Sequence, residues 1–225
     1  MEDVAAAKRR AGRSAAATVD DGDVVGLGTG STAAAAIRAL GDRIDSGVDV
    51  VGVPTSYQSR AVAAAAGVPL AEIGDRARVD VTIDGADEIA AGAAIKGGGG
   101  AHTTEKVVAT AADRVVFVVD ERKVVDQLRA PVPLAVVPAA RATVAARVEE
   151  LGGEPTLRAA DRKDGPVVTD DGNLIIDAAF GQIDAPEELS ASLSELPGVV
   201  EHGLFVGIAD ELHVGTADAV TVQQL

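Results

Sequence analysis

Between Asp84 and Glu105 the chain reads DGADEIAAGAAIKGGGGAHTTE. Three acids (Asp84, Asp87, Glu88), a lysine (Lys96), a run of glycines and a further glutamate (Glu105) follow one another closely. A glycine turn has no Cβ and tolerates φ > 0, so its backbone can approach an anionic ligand. Charges on both sides of such a turn suit a small, oxygen-rich, negatively charged molecule, although an ordinary surface loop would use the same residues. Glu105, expected in the first turn of a helix, would favour the helix dipole. It could equally serve as a general base that moves a proton between adjacent carbons, given burial that raises its pKa toward neutrality. Lys96 or Lys123 would then stabilise the enediolate oxygen that develops. His102, beside the turn, is another group able to transfer protons.

A second cluster is Gly26-Leu-Gly-Thr-Gly-Ser-Thr32, which follows a predicted strand and opens a predicted helix. Backbone N–H groups at a helix N-terminus attract phosphate, and the hydroxyls of Thr29, Ser31 and Thr32 add donors. The loop lacks the Gly-Lys-Ser/Thr of a Walker A motif, and its third glycine is misplaced for a dinucleotide fingerprint. A tight turn with Ser31 or Thr32 as N-cap would use the same residues. Asp84 and Asp87 end a predicted strand, where carboxylates cap turns or accept hydrogen bonds from sugar hydroxyls. No third ligand stands at metal spacing, and His102, His202 and His213 are scattered.

The elements that must position these groups alternate. Strands are predicted at Asp23–Leu27, Asp49–Val53, Val79–Ile83 and Val115–Val119. Helical stretches at Ala33–Leu40 and Ser59–Ala66 follow the first two. That rhythm implies βαβ units and an open, mostly parallel, Rossmann-like α/β sheet. Ligands of such sheets bind beyond the carboxyl ends of the strands, where GTGST, PTS, DGADE and DERK all fall. Near residue 130 the pattern changes to α+β. APVPLAVVP (130–138) reads as an extended linker or edge strand. A helix at Ala140–Leu151 precedes short strands at Pro155–Arg158, Val167–Thr169 and Leu174–Ile176, with DDGN as a hairpin turn. Another helix covers Pro186–Leu196. The expected domains are therefore 1–129 with 201–225, and a smaller one at 130–200. The tail segments Gly203–Ile208 and Leu212–Val214 return to β character, placed to rejoin the first sheet.

Composition narrows the function classes. The formal net charge is −15, with 35 acidic and 20 basic residues. That disfavours nucleic acid, which needs clustered Lys and Arg, and an anionic membrane surface. One Tyr, three Phe and no Trp leave no aromatic platform for single strands. The absence of cysteine excludes disulfides, thiolate catalysis and Cys-based zinc sites. No apolar window approaches a membrane span, and the N-terminus lacks an apolar signal core, so a soluble cytoplasmic protein is expected.

In its motifs the chain resembles the A-type ribose-5-phosphate isomerases. The resemblance rests on GLGTGST (26–32), GVPTS (52–56), IDGADE (83–88), IKGGGGA (95–101), Glu105-Lys106 and VDERK (119–123). It continues through TDDGNLIID (169–177), PGVVEHGLF (197–205) and VGTAD (214–218). It implies an aldose–ketose isomerase, without metal or cofactor, that interconverts ribose 5-phosphate and ribulose 5-phosphate in the pentose phosphate network. By the resemblance Glu105 is the base that shuttles a proton between C2 and C1 through a cis-enediolate. Lys96 and Asp84 lie beside the reacting oxygens, and Lys123 matches a second functional lysine. Substrate-binding segments are Thr29, Gly30, Ser31 and Thr32; Asp84, Gly85, Ala86 and Asp87; and Lys96, Gly97, Gly98 and Gly99. The family fold is an open α/β domain with a small ferredoxin-like one, usually in homodimers or homotetramers. Three departures stand out: His102 and Thr104 replace a bulky apolar residue and an arginine, and Ala135 replaces a frequent glutamate.

Other readings fit less well. An amino-sugar phosphate deaminase needs an ammonia-handling constellation, and a CoA transferase a glutamate nucleophile in a different motif. A sugar-phosphate sensor domain of a transcription regulator needs a DNA-binding helix-turn-helix, for which the stretch before the first strand is too short and too acidic. The acid excess suits concentrated salt, where screening removes self-repulsion. The melting temperature is therefore expected to rise as KCl goes from about 0.1 M to about 1 M; a melting curve that does not move counts against this.

Overall fold

The computed structural model describes residues 2–225 except Ala77, with Glu2 described by its backbone alone. In chain order the elements are α1 (Glu2–Ala16), β1 (Val24–Leu27), α2 (Ser31–Asp45), β2 (Val51–Pro54), α3 (Tyr57–Ala65), β3 (Val79–Asp84), β4 (Glu88–Ala90) and β5 (Ala93–Ile95). There follow α4 (His102–Thr110), β6 (Ala112–Asp120), β7 (Val132–Val136), α5 (Arg141–Glu150), β8 (Glu154–Leu157), β9 (Leu174–Ala179), α6 (Pro186–Ser194), β10 (Val199–His202), β11 (Leu204–Val206), β12 (Glu211–Gly215) and β13 (Val220–Gln224). Contacts divide the chain into two compact units. One holds Met1–Ala86, Thr104–Val124 and Gly207–Leu225, and the other Asp87–Thr103 and Val125–Val206. Among the described residues no helix is long and apolar enough to cross a membrane.

The first unit is built on a sheet in the order β13-β12-β6-β3-β1-β2. Every neighbouring pair is parallel except β12 with β13. Parallel neighbours need long crossovers, and helices supply them. Ala11 and Ala15 of α1 and Ala36, Ile37 and Leu40 of α2 pack with Val25, Leu27, Val81, Ile83, Val116 and Val118 of the strands. Val108 of α4 joins a separate cluster with Val53 and Val79. Burial on both faces explains why these strands read as continuous apolar runs instead of alternating ones. β1 lies between β2 and β3, so the strand order reverses there. In open α/β sheets such a reversal opens a crevice at the carboxyl ends of the strands.

The second unit contains the succession β7-α5-β8-β9-α6-β10, whose antiparallel strands lie in the order β10-β7-β9-β8. This is the ferredoxin-like arrangement. Val144 and Val148 of α5 and Leu193 of α6 are buried in one cluster with Leu134, Val136 and Ile176 of the sheet. A smaller sheet in the order β11-β5-β4 belongs to the same unit.

Several local expectations are corrected. The proline-rich segment forms β7, an inner strand whose five residues are all buried, not an edge. Pro133 lacks an N–H, and the structure accommodates the loss. Gly203 donates its N–H to the Pro133 carbonyl at 2.8 Å, while the Gly203 carbonyl accepts the N–H of Lys96 at 2.8 Å. Within the tail, Leu212–Val214 joins the large sheet through β6, whereas β11 pairs with β5 instead. β4 and β5 escape sequence reading because alanine and glycine carry little strand preference. Their hairpin is made by Ala91 and Gly92, both at positive φ (45° and 81°), as a two-residue turn requires. Val167–Thr169 contributes only an isolated bridge, Val168 to Leu174.

Ile176 is 1% exposed within the second unit's core. Ile176→Ala is expected to lower unfolding free energy by about 2–5 kcal/mol in chemical denaturation; a loss below about 1 kcal/mol contradicts the packing described.

Candidate active site

Carboxyl ends of β1, β2, β3 and β6 bring the first group of residues together. Asp84 ends β3 and is 2% exposed. Its Oδ1 accepts the N–H of Thr29 at 3.1 Å and of Gly85 at 2.7 Å. A Cβ on Gly28 would sit 2.1 Å from that oxygen, so only glycine lets the carboxylate reach the β1 turn. The Thr29 hydroxyl lies 2.7 Å from Ser56 Oγ and 2.9 Å from Thr55 Oγ1, both beyond β2. Gly30 (φ 108°) donates its N–H to Gln58 Oε1 at 2.8 Å.

Gly30 is the N-cap of α2, and no side chain caps that helix. Ser31 and Thr32 are its first helical residues, which corrects the expectation of a Ser or Thr cap. The helix start therefore offers backbone N–H groups together with two hydroxyls, an arrangement suited to an anion. Lys8 of α1 donates to Ser31 Oγ at 2.8 Å and approaches Asp120 Oδ2 at 4.0 Å. Sequence reading missed Lys8. Its one signal was the scarcity of lysine, since it stands 23 residues from Ser31 with no motif around it. Asp120 ends β6, and its carboxylate receives Arg122 Nε at 2.7 Å and Arg122 N at 3.3 Å. Lys123 follows in the 3-10 turn Glu121–Lys123, half-buried. Glu105 stands in the first turn of α4 and is 4% exposed.

The remaining candidates belong to the second unit. Lys96 follows β5, is 2% exposed, and its Nζ lies 5.4 Å from the centroid of the Phe205 ring, within cation–π range. The glycine turn begins at Gly97 (φ 102°), and the Gly98 N–H donates to Asp87 Oδ2 at 2.7 Å. A Cβ on Gly97 would meet His102 Nδ1 at 2.6 Å. His102, fully buried at the start of α4, thus packs directly on the turn and explains why that position must be bare. Glu88 Oε2 accepts the N–H groups of Arg129 and Ala130 at 2.7 and 2.8 Å. Among the described residues no three His, Asp or Glu side chains gather as metal ligands.

Comparison with known proteins covers nearly the whole chain. The family model for ribose 5-phosphate isomerase A (phosphoriboisomerase A) matches residues 51–219. A protein of Haloarcula marismortui named ribose-5-phosphate isomerase A is 61% identical over 220 residues, spanning 98% of this chain and 96% of the relative. The structure of ribose 5-phosphate isomerase A from Methanocaldococcus jannaschii superposes with a TM-score of 0.92 at 43% identity, over 97% of this chain and 98% of the other. A D-ribose-5-phosphate isomerase in complex with phospho-erythronic acid gives a TM-score of 0.94 at 41% identity, over 97% of each chain.

Burial pushes the Asp120 carboxyl up, but the hydrogen bonds and charge of Arg122 and the charge of Lys8 outweigh it and hold it below its ordinary 3.8. A lowered folded-state value stabilises the protein above the ordinary pKa, and that stability is lost as pH falls through the lowered one. Asp120→Asn is therefore expected to melt a few degrees below wild type at pH 7. The difference should close as pH drops below about 4, followed by circular dichroism; a gap that stays constant refutes this.

Proposed function

The chain belongs to the ribose 5-phosphate isomerase A family, and from that premise we propose that it interconverts D-ribose 5-phosphate and D-ribulose 5-phosphate through a cis-enediolate, in the non-oxidative pentose phosphate pathway. The carrying observation is the burial of three charged side chains, Asp84, Lys96 and Glu105, at 2%, 2% and 4% exposure. Burying a charged side chain costs desolvation and is rare unless the charge is paired, so buried charges at the carboxyl ends of strands and beside a glycine turn mark functional-site candidates.

In this reading Asp84 takes the proton of the anomeric hydroxyl as C1 becomes a carbonyl and its bond to the ring oxygen breaks, and returns that proton to the ring oxygen, which leaves the open aldose. Glu105 removes the C2 proton of the open aldose, leaving an enediolate, and returns that proton to C1, while a hydroxyl proton passes between O1 and O2. Lys96 stabilises the oxyanion that develops, because a fixed positive charge in a water-poor site needs no reorganisation as the reaction proceeds. The start of α2, with Ser31, Thr32 and Lys8, suits the phosphate. Asp84 to Asp87 and Gly97 to Gly99 hold hydroxyls, and Lys123 adds a second cation. Phospho-erythronic acid, bound by a relative, is a phosphorylated sugar acid with a planar carboxylate where an enediolate would form. We extend the proposal to a cytoplasmic homodimer or homotetramer that uses no metal or cofactor.

A coupled assay with ribose 5-phosphate beside ribose, arabinose 5-phosphate and glucosamine 6-phosphate tests the substrate, with turnover expected for ribose 5-phosphate. Glu105→Gln is expected to lower kcat by about 10²–10⁴-fold or more while sugar-phosphate binding persists. Undiminished turnover in that variant sinks the proton-shuttle assignment.

A further inference from the structure

The glycine turn is gripped from two opposite sides. Arg158, just beyond β8, sends Nη1 to the carbonyl of Gly97 at 2.9 Å and to that of Gly98 at 3.1 Å. The same guanidinium is held by Asp177 of β9, through Nε to Oδ2 at 2.8 Å and through Nη2 to Oδ1. Thr156 lies opposite Asp177 in the β8–β9 ladder, so Arg158, two residues on, emerges on the same face as the carboxylate. Ile175, on that face too, bounds the far end of the turn: a Cβ on Gly100 would meet its Cδ1 at 2.9 Å. Arg158 and Asp177 are half-buried, with side-chain exposures of 18% and 25%, so water weakens the pair less than it would at the surface.

No cis peptide occurs among the described residues, and in a trans peptide the N–H points opposite to the carbonyl before it. When Arg158 draws the carbonyls of Gly97 and Gly98 to itself, the N–H groups of Gly98 and Gly99 must turn away from it. The first of these reaches Asp87 Oδ2. Four consecutive glycines resist such an assignment little by themselves, since each visits both signs of φ. Within the turn, Gly100 donates its N–H to the Gly97 carbonyl at 2.9 Å, which closes the turn but leaves the central Gly98–Gly99 peptide able to face either way. Arg158 sets that peptide from outside, its planar fork holding the Asp177 carboxylate through two nitrogens while the third reaches both carbonyls.

We propose that Arg158, locked by Asp177, is a positioning residue of the sugar-phosphate site, which sets the Gly97–Gly98 and Gly98–Gly99 peptides so that the Gly99 N–H is presented to an oxygen of the substrate on the side where Asp87 takes the Gly98 N–H. This rests on the isomerase reading given above and adds to it a residue from outside the segments that carry the chemistry.

The test compares wild type, Arg158→Ala, Arg158→Lys and Asp177→Asn. Arg158→Ala is expected to lose about 10- to 100-fold in kcat/KM for ribose 5-phosphate, with Arg158→Lys in between. Millimolar guanidinium ion should restore activity to Arg158→Ala and leave wild type unchanged, which a merely structural role would not produce. Amide exchange at Gly98, whose N–H Asp87 holds, should quicken in the same variant. Activity within about twofold of wild type, or a loss that guanidinium does not relieve, overturns the proposal. Should Arg158→Ala fail to fold, Arg158→Lys and Asp177→Asn decide by the same exchange and kinetic readouts. If wild type itself does not turn over ribose 5-phosphate, the isomerase reading fails, and the exchange comparison alone still decides whether Arg158 holds the turn.

Discussion

The bond between the Asp84 carboxylate and the N–H of Thr29 ties the end of β3 to the turn after β1. Most of the first unit's site geometry depends on it. The bond requires a bare backbone at Gly28, and it orients the peptides that lead into α2. It also binds a carboxylate that the surrounding sheet has removed from water, at 2% exposure. A buried acid is tolerated when its oxygens are paired, and the backbone donors of Thr29 and Gly85 contribute that pairing. Because β1 and β3 flank the point where strand order reverses, the bond lies where open α/β sheets form a ligand crevice.

The second unit solves a related problem with a glycine turn. Its carbonyls go to Arg158 and one of its N–H groups to Asp87. Lys96, at the start of the turn, is anchored through its backbone to Gly203, whose carbonyl is available because Pro133 has no N–H to give it. A proline in an inner strand, ordinarily unfavourable, thereby fixes the backbone that carries a buried cation. In both units flexible backbone is made definite by hydrogen bonds from distant parts of the chain.

Strong acidity belongs mainly to the surface. The buried charged residues are few, and Asp84, Lys96, Glu105 and Asp120 all fall within the motifs singled out for chemistry. An acidic exterior disfavours nucleic acid.

Much of this was legible in the order of residues. The β-branched runs before GTGST, PTS, DGADE and DERK show a parallel sheet with polar turns at one edge, because a doubly covered strand must be apolar throughout. The α+β rhythm after residue 130 was equally readable, since turns and the change of periodicity are local properties. Lys8, the Arg158–Asp177 clamp, the inner position of β7 and the pairing of β11 with β5 were not. Each depends on which strands become neighbours, and register brings together residues that sequence leaves far apart, such as Arg158 and Gly97, 61 positions from one another. By itself the sequence determined which residue types are available and in which segments they lie. The tertiary structure alone decided which oxygen and which N–H each group faces, because hydrogen bonds act over about 3 Å and only folding places atoms to that precision.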